Sequence, residues 1–329
     1  MPIVVNSNAS ATEASFNLSR NNEALRKSLG RLSSGKRISN PADDAGGLAV
    51  AYKLNSTINR SYATIQNAQN ALSYLQVQDS ALATTGKILD RMAELRTMAQ
   101  DITKNSGDIE NYSKEFVELQ SQLRQIKEEK FNGISLFAVH TGTATGSKAQ
   151  MTKADDGGVY VDASGSSIAY DKFGRELVTH PSGNTGNGSI SLNVVNLQFV
   201  LSLNGSANRD VNLGGIGHSN SGITTTGLGD DDYFITRIRD VSVSEIINAI
   251  EKLADARAEN GAEQNRIMNS INLLQTNVTN LEAAHGRIMD ADIALESTRF
   301  ARYNVLVQAS AAMTAQANQM TNIALSLLG

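Results

Sequence analysis

The sequence predicts a mainly α-helical protein with a β-rich insert. Both ends of the chain are expected to build a long antiparallel coiled coil or helix bundle, and the insert a small outer β-rich domain. Apolar residues recur at seven-residue spacing in both flanks, a period that helices keep when they pack side by side. Most of the 26 glycines fall between Gly133 and Gly229, where alternating apolar and polar residues indicate strands.

Composition excludes several classes of protein. The 329 residues suffice for two or three domains. The 29 basic residues are well mixed with 33 acidic residues, so the sequence shows no basic cluster of the kind that binds nucleic acid. The absence of cysteine excludes disulfides, thiol nucleophiles and thiolate metal sites. No apolar run is long enough to span a bilayer, and the start of the chain lacks the pattern of a Sec signal.

The first flank is predicted to hold three helices. The first helix carries heptad-spaced Ala11, Leu18, Leu25 and Leu32. It ends before residues 39–47, because Pro41 forces the preceding residue out of the α region and Asp43 or Asp44 can cap the next helix. That second helix is predicted to run to about Ile102, with core positions at Ile58, Ile65, Leu72, Leu75, Leu82 and Leu89. A shorter helix follows with one apolar face made of Phe116, Leu119, Leu123 and Ile126.

The second flank is predicted to be helical from about Ser242. Its core positions continue the heptad pattern at Ile267, Ile271, Leu274, Val278 and Leu281. After Arg302 there is no charged side chain through Gly329, yet Leu306, Met313, Met320 and Leu327 repeat every seven residues. The first twelve residues are also uncharged. Because a solvated helix normally carries charges on its outer face, both ends are predicted to lie inside an assembly.

Such ends are expected to need neighbours. Burying one Leu or Met contributes about 1.5–3 kcal/mol, while ordering each residue costs about 1–2 kcal/mol of backbone entropy. A single pair of terminal helices is therefore predicted to be mobile in the isolated chain and ordered in a polymer. The predicted polymerisation seam places Leu18, Leu25 and Leu32 against Leu306, Met313, Met320 and Leu327. A contact between copies that does not close on itself generates a helical filament.

Several separate segments resemble the bacterial flagellin family, in the order that the family has them. In the first flank they are LSRN at 18–21, LSSGKRI at 32–38, NPADDAG at 40–46, NAQNA at 67–71 and FNG at 131–133. In the second flank they are QNR at 264–266, RIMDAD at 287–292, AQANQ at 315–319 and LSLL at 325–328. Together the two regions cover about two thirds of the chain.

The resemblance implies three domains. Residues 1–43 with 287–329 would form the polymerising coiled coil, residues 44–137 with 239–286 the helical core, and residues 138–238 a variable outer domain. It implies a structural protein without enzymatic activity or cofactor, which polymerises with itself into the extracellular filament used for swimming. Its further expected partners are the hook-associated junction and cap proteins and an export chaperone, with no insertion into membranes.

The resemblance also implies export by the flagellar type III apparatus without a cleaved signal peptide. A hook–filament junction protein with similar ends is the alternative within this family. Many flagellins present an Arg, a Leu and a Glu to a Toll-like receptor, and Arg91, Leu95 and Glu118 are the corresponding candidates here. Ordinary packing between subunits is the alternative role for these three residues.

Other motifs favour no catalytic site. Residues 30–36 fit the start of a phosphate-binding loop, but Arg37 stands where a Ser or Thr is needed and no strand precedes it. The four histidines form no zinc-protease motif, which argues against a metalloprotease in the middle segment. The acidic run 230–232 is interpreted as a turn, and residues 189–203 as a pair of strands. Because a coiled-coil adhesin would lack two uncharged ends, that class is disfavoured as well.

Overall fold

A computed structural model describes residues 8–138, 152–153, 158–161, 167–170, 172–203, 213, 225–227 and 233–328. The chain forms two compact units. Residues 1–59 and 276–329 make up the first unit, and residues 60–275 make up the second. The finer division into three domains stays a prediction.

The first unit is built from helices at the two ends of the chain. Helix α1 spans Ala9–Ser34 and helix α6 spans Ile293–Leu328, and the two pack side by side. The unit also contains the start of α2, which spans Ala45–Met98, and the end of α5, which spans Val243–Met289. The predicted fold class is confirmed, because long terminal helices pack together and strands are confined to a small insert.

Side-chain and glycine caps set the helix boundaries in this unit. The Asn8 side chain accepts a hydrogen bond from the backbone N–H of Ala11 at 3.0 Å and thereby starts α1. Gly35 ends α1 with a φ of 68°, a left-handed conformation that glycine adopts at little cost. Asp44 accepts from the backbone N–H of Gly47 at 2.8 Å, so it is the aspartate that caps α2.

The second unit contains most of α2 and α5 together with α3, which spans Ser106–Lys127. A reciprocal capping box of Asn105 and Asp108 starts α3. Two residues of the predicted apolar face of α3, Phe116 and Leu123, are fully inaccessible to solvent, and the other two, Leu119 and Ile126, are half-buried. Helix α3 contacts α2 where the Arg91 guanidinium pairs with Glu115 at 2.8 Å.

Most of the predicted core positions of α2 and α5 are buried in the chain. The buried ones are Ile58, Ile65, Leu75, Leu82, Leu89, Ile267, Ile271, Leu274 and Val278. Leu72 and Leu281 are only half-buried. The heptad period thus marks the inward face of these helices with two partial exceptions.

The strands of the described residues all lie in the second unit. They are β1 (Lys130–Phe131), β2 (Ile134–Ser135), β3 (Thr152–Lys153), β4 (Gly158–Val161), β5 (Ser167–Tyr170), β6 (Phe173–Val178), β7 (Ser189–Val194), β8 (Thr225–Gly227) and β9 (Tyr233–Ile235). They pair as antiparallel hairpins, except that β3, β6 and β7 form a three-stranded sheet in that order.

Two predictions of secondary structure need correction. The second helix ends at Met98 rather than near Ile102, because the Asp101 side chain accepts from the Thr103 backbone in a local turn. Residues 189–203 are not a strand pair. Strand β7 pairs with β6 instead, and Asn196 caps a single helical turn, α4 (Leu197–Val200), whose apolar side chains are buried.

Within the part of the chain that the structure describes, no helix is long and apolar enough to cross a membrane. The same residues contain no group of three His, Asp or Glu side chains that could hold a metal ion. Residues 230–232 and two of the four histidines, His140 and His218, lie outside the described residues.

Candidate assembly surface

Helices α1 and α6 meet along one face of each helix. The α1 side chains at this seam are half-buried or buried, and they are Ala11, Ala14, Leu18, Asn21, Leu25, Ser28 and Leu32. On α6 the corresponding side chains are Glu296, Phe300, Tyr303, Leu306, Val307, Ser310, Thr314 and Ala317. Four of the predicted seam residues, Leu18, Leu25, Leu32 and Leu306, therefore lie on it. Small and polar residues interrupt the apolar ones on both helices.

Three hydrogen bonds across the seam fix its antiparallel register. The Asn8 amide donates to the Ala317 carbonyl at 2.8 Å, and the Asn21 amide donates to the Ser310 hydroxyl at 2.8 Å. The Ser28 hydroxyl donates to a backbone carbonyl of α6 at 3.3 Å. Polar residues at core positions of coiled coils specify register at a cost in stability. These three hydrogen bonds were not predicted, although polar residues such as Asn21 and Ser310 at core-facing helical positions indicate that hydrogen bonds cross the seam.

A backbone bridge continues the register beyond the end of α1. Lys36 pairs with Asp290 as an antiparallel β-bridge. The Arg37 N–H donates to the Met289 carbonyl at 2.6 Å, and the Ala291 N–H donates to the carbonyl of the residue that ends α1 at 2.9 Å. The two helix breaks, after α1 and after α5, therefore lie at the same level of this unit.

Asp43 organises the turn between α1 and α2. Its carboxylate contacts the Lys27 ammonium at 2.5 Å and accepts from the backbone N–H groups of Ser39 and Asn40, both at 3.4 Å. The hydrogen bond from Lys27, together with these backbone N–H groups, lowers the pKa of Asp43 to about 2. The side chain therefore stays ionised at any pH near neutral.

Large apolar side chains that do not lie at the seam are exposed on both helices. Phe16 is 67% exposed and Leu29 53% on α1, while Val305 is 64% and Met313 63% on α6. Met313 thus lies outside the seam within one chain, contrary to the prediction that it faces α1. The side chains of Met320 and Leu327 lie outside the described residues.

These exposed residues form a surface suited to association, which we call the outer face of α1 and α6. The part of α6 that follows Arg302 carries no charge, so the α6 side of this surface lacks the charged residues that keep helices solvated. Exposed apolar patches of this kind mark protein–protein contacts. The chemistry of the site is therefore packing, and it contains no arrangement of groups for catalysis.

The candidate receptor residues do not share a surface. Leu95 is fully buried and cannot touch a receptor while the chain is folded. The Arg91 side chain is 43% exposed and forms ion pairs with Glu115 and Glu94 at 2.8 and 3.1 Å. Glu118 is exposed, one turn further along α3 than the residue that pairs with Arg91.

The segment that resembles a phosphate-binding loop has no preceding strand. Residues 30–34 continue α1 as helix, and the strand that such a loop requires is replaced by helical turns. Lys27 is engaged by Asp43, and Lys36 takes part in the backbone bridge. The basic residues of this region therefore serve the joint between helices.

Comparison with known proteins agrees with this architecture. Residues 5–141 match the family described as the bacterial flagellin N-terminal helical region, and residues 243–328 match the C-terminal helical region. The flagellin of Bacillus subtilis is 30% identical over 98% of this chain and 99% of its own length.

Two other relatives have the same extent of similarity. Flagellin A of Vibrio anguillarum is 28% identical over the whole of both chains. The flagellar filament 33 kDa core protein of Treponema phagedenis is 29% identical over 99% of this chain and all of that protein. With both terminal regions matched in order and relatives similar along the full length, the chain belongs to the bacterial flagellin family.

Proposed function

We propose that this chain polymerises with itself into the extracellular helical filament that a bacterium rotates to swim. Flagellins are structural filament proteins, so the chain works by mechanical assembly rather than as an enzyme. One observation supports the proposal most directly. Helices α1 and α6 expose large apolar side chains on a face that has no charged residues after Arg302.

The energetics of the helix pair favour assembly. Its own seam buries few large side chains completely, since the leucines of α1 are half-buried and several seam positions are polar. Each large apolar side chain of the outer face that a neighbour covers would contribute about 1.5–3 kcal/mol. Contacts with copies of the same chain would therefore supply stability that the isolated pair lacks, which supports ordering of the ends upon polymerisation.

The ordering of the ends can be tested by hydrogen exchange on the isolated chain and on the polymer. We expect amides of α1 and α6 to exchange quickly in the isolated chain and to be strongly protected in the polymer. Strong protection of residues 306–327 in the isolated chain would show that the ends are ordered without neighbours.

The role of the outer face can be tested by replacing Met313 with Lys. We expect this variant to elongate short filament seeds at a critical concentration at least about tenfold higher, because a charge replaces an apolar side chain that neighbours bury. Met313→Leu keeps the apolar volume and should elongate like the natural chain. Equal critical concentrations for all three proteins would show that Met313 does not lie in the contact between subunits.

Seeded growth also separates the filament subunit from the junction protein. A filament subunit extends seeds into long filaments by itself, whereas a junction protein adds in few copies and stops. The full-length similarity to filament flagellins supports the first outcome. If the purified natural chain fails to elongate seeds, the proposed function is wrong.

We further propose export by the flagellar type III apparatus, with a chaperone that covers the outer face before assembly. The absence of cysteine supports this route, because such a chain can cross a channel unfolded without forming disulfides. The junction and cap proteins would contact the same terminal helices at the two ends of the filament. Pull-down of the chaperone by the natural chain, and its loss on removal of residues 300–329, would support this order of events.

A further inference from the structure

Strand β7 lies at the edge of its three-stranded sheet, and a side chain of α5 accepts a backbone hydrogen bond from its open edge. The backbone N–H of Asn193 donates to both carboxylate oxygens of Glu263, at 3.0 and 2.9 Å. The Asn193 side-chain amide donates to Glu259 at 2.5 Å. An exposed strand edge is a liability that proteins cover. Here the Glu263 carboxylate covers one N–H of the edge, and Glu259, one helical turn away, holds the side chain of the same residue.

The charges around these carboxylates come from three elements. Glu259 and Arg266 lie on α5 with Glu263, and Lys172, just before β6, donates to Glu259 at 2.9 Å. On α2, the Tyr74 hydroxyl faces the same region, and burial raises the pKa of that hydroxyl, which keeps it neutral. Arg175 of β6 lies beside Tyr74. The Glu263 carboxylate therefore has one acidic neighbour and basic neighbours that only partly offset its burial.

We propose that Glu259 and Glu263 form a proton-operated latch that holds the β6–β7 hairpin on α5 and loosens as Glu263 loses its proton between acid and neutral pH. Two like charges one turn apart repel each other, and both stand where solvent is partly excluded. A neutral Glu263 still accepts the Asn193 N–H through its carbonyl oxygen and removes the repulsion. The docked hairpin therefore favours the protonated carboxyl.

The direction of the pH effect follows from proton linkage. Burial, followed by the Glu259 charge, raises the pKa of Glu263 from 4.5 to about 7 in the docked hairpin. A released hairpin exposes the side chain to water, and its pKa returns toward its ordinary value. Docking therefore takes up a proton between these two pH values. The latch is strongest below pH 4.5, weakens as pH rises toward 7, and contributes little above that pH.

The latch is local, and its effect should be confined to the outer segment. The hairpin contacts α5 through Asn193 and through the ion pair of Lys172 with Glu259 at 2.9 Å, and the Asn193 carbonyl accepts from the Gln78 side chain of α2 at 3.4 Å. The helical core of the same unit depends on buried aliphatic side chains such as Leu82 and Leu89, which do not titrate. The filament could thus hold this hairpin tightly in acid surroundings and loosen it at neutral pH without loss of its core.

Native-state hydrogen exchange on the full chain tests the latch. After correction for intrinsic exchange rates, we expect the opening constant of the β6–β7 amides to rise about tenfold or more between pH 4.5 and pH 8.5. Over this interval the pKa difference sets an upper limit of roughly 150-fold, which partial exposure of the carboxylate reduces. Amides of α3 in the same samples should show no such rise.

Two variants and one direct titration complete the test. Glu263→Gln mimics the neutral carboxyl and should give hairpin opening that does not depend on pH, whereas Glu118→Gln, at an exposed position on α3, should behave like the natural chain. Equal pH profiles for the natural chain and Glu263→Gln would overturn the proposal. If Glu263→Gln does not fold, the Glu263 carboxyl carbon can be followed by NMR in the natural chain. A midpoint near 4.5 would overturn the proposal, and one near 7 would support it.

Discussion

The two units of this chain use the same heptad spacing to different ends. In the second unit the heptad leucines Leu75, Leu82 and Leu89 are fully buried within one molecule. On α1 the heptad leucines Leu18, Leu25 and Leu32 are only half-buried, and asparagine and serine residues pin the register. The difference indicates that one unit is stable by itself and the other is completed by neighbours.

Removal of residues 300–329 tests this difference with the largest expected effect. The deletion takes away most of α6, so polymerisation should be abolished. The helices of the second unit should remain folded, because their core lies at residues 60–275. Electron microscopy checks the first outcome, and circular dichroism with a cooperative thermal transition checks the second. Normal filaments from the truncated chain would show that α6 is not needed for assembly.

A matched pair of leucine truncations sharpens the comparison between the units. Leu82→Ala removes a fully buried side chain, so the free energy of unfolding should fall by about 2–5 kcal/mol. Leu29→Ala removes a half-exposed side chain on α1 and should change that free energy by less than about 0.5 kcal/mol. Denaturant titration measures both changes.

In an assembly assay the order of the two effects should be reversed, with the larger effect from Leu29→Ala. Because Leu29 lies on the outer face of α1 and α6, Leu29→Ala should slow seeded elongation. Under conditions in which the Leu82→Ala protein is folded, it should elongate seeds at the same rate as the natural chain. Equal elongation by both variants would mean that the outer face is not the contact between copies.

The heptad period predicted the buried positions of α2 and α5 well because its signal is internal to the chain. Periodic aliphatic residues such as Ile267 and Leu274 must face a core, and they are buried as the period indicates. The same period on α6 could not separate contacts within the chain from contacts between chains. Leu306 lies on the seam and Met313 outside it, although both occupy the same heptad position, because a straight helix drifts relative to a strict seven-residue repeat.

The polar elements of the molecule were the least predictable from sequence. The latch on Asn193 joins residues about 70 positions apart, and nothing in either segment indicates the other. The strand pair predicted for residues 189–203 failed for a related reason. Alternation favoured strands throughout, but Asn196 offers the backbone a helical cap that outweighs it locally.

The smallest predicted effect concerns the turn that joins α1 to α2. Asp43→Asn removes the ion pair with Lys27 but keeps an acceptor for the backbone N–H groups of Ser39 and Asn40. Solvent screens this pair, so the loss of stability at pH 7 should be about 1 kcal/mol or less. Because the pKa of Asp43 is lowered from 3.8 to about 2, its contribution is present above pH 3.8 and disappears as pH falls toward 2. Thermal unfolding should therefore separate the natural chain from Asp43→Asn at pH 7 and bring the two together near pH 2. A difference that persists unchanged at pH 2 would mean that the carboxylate charge does not hold this turn.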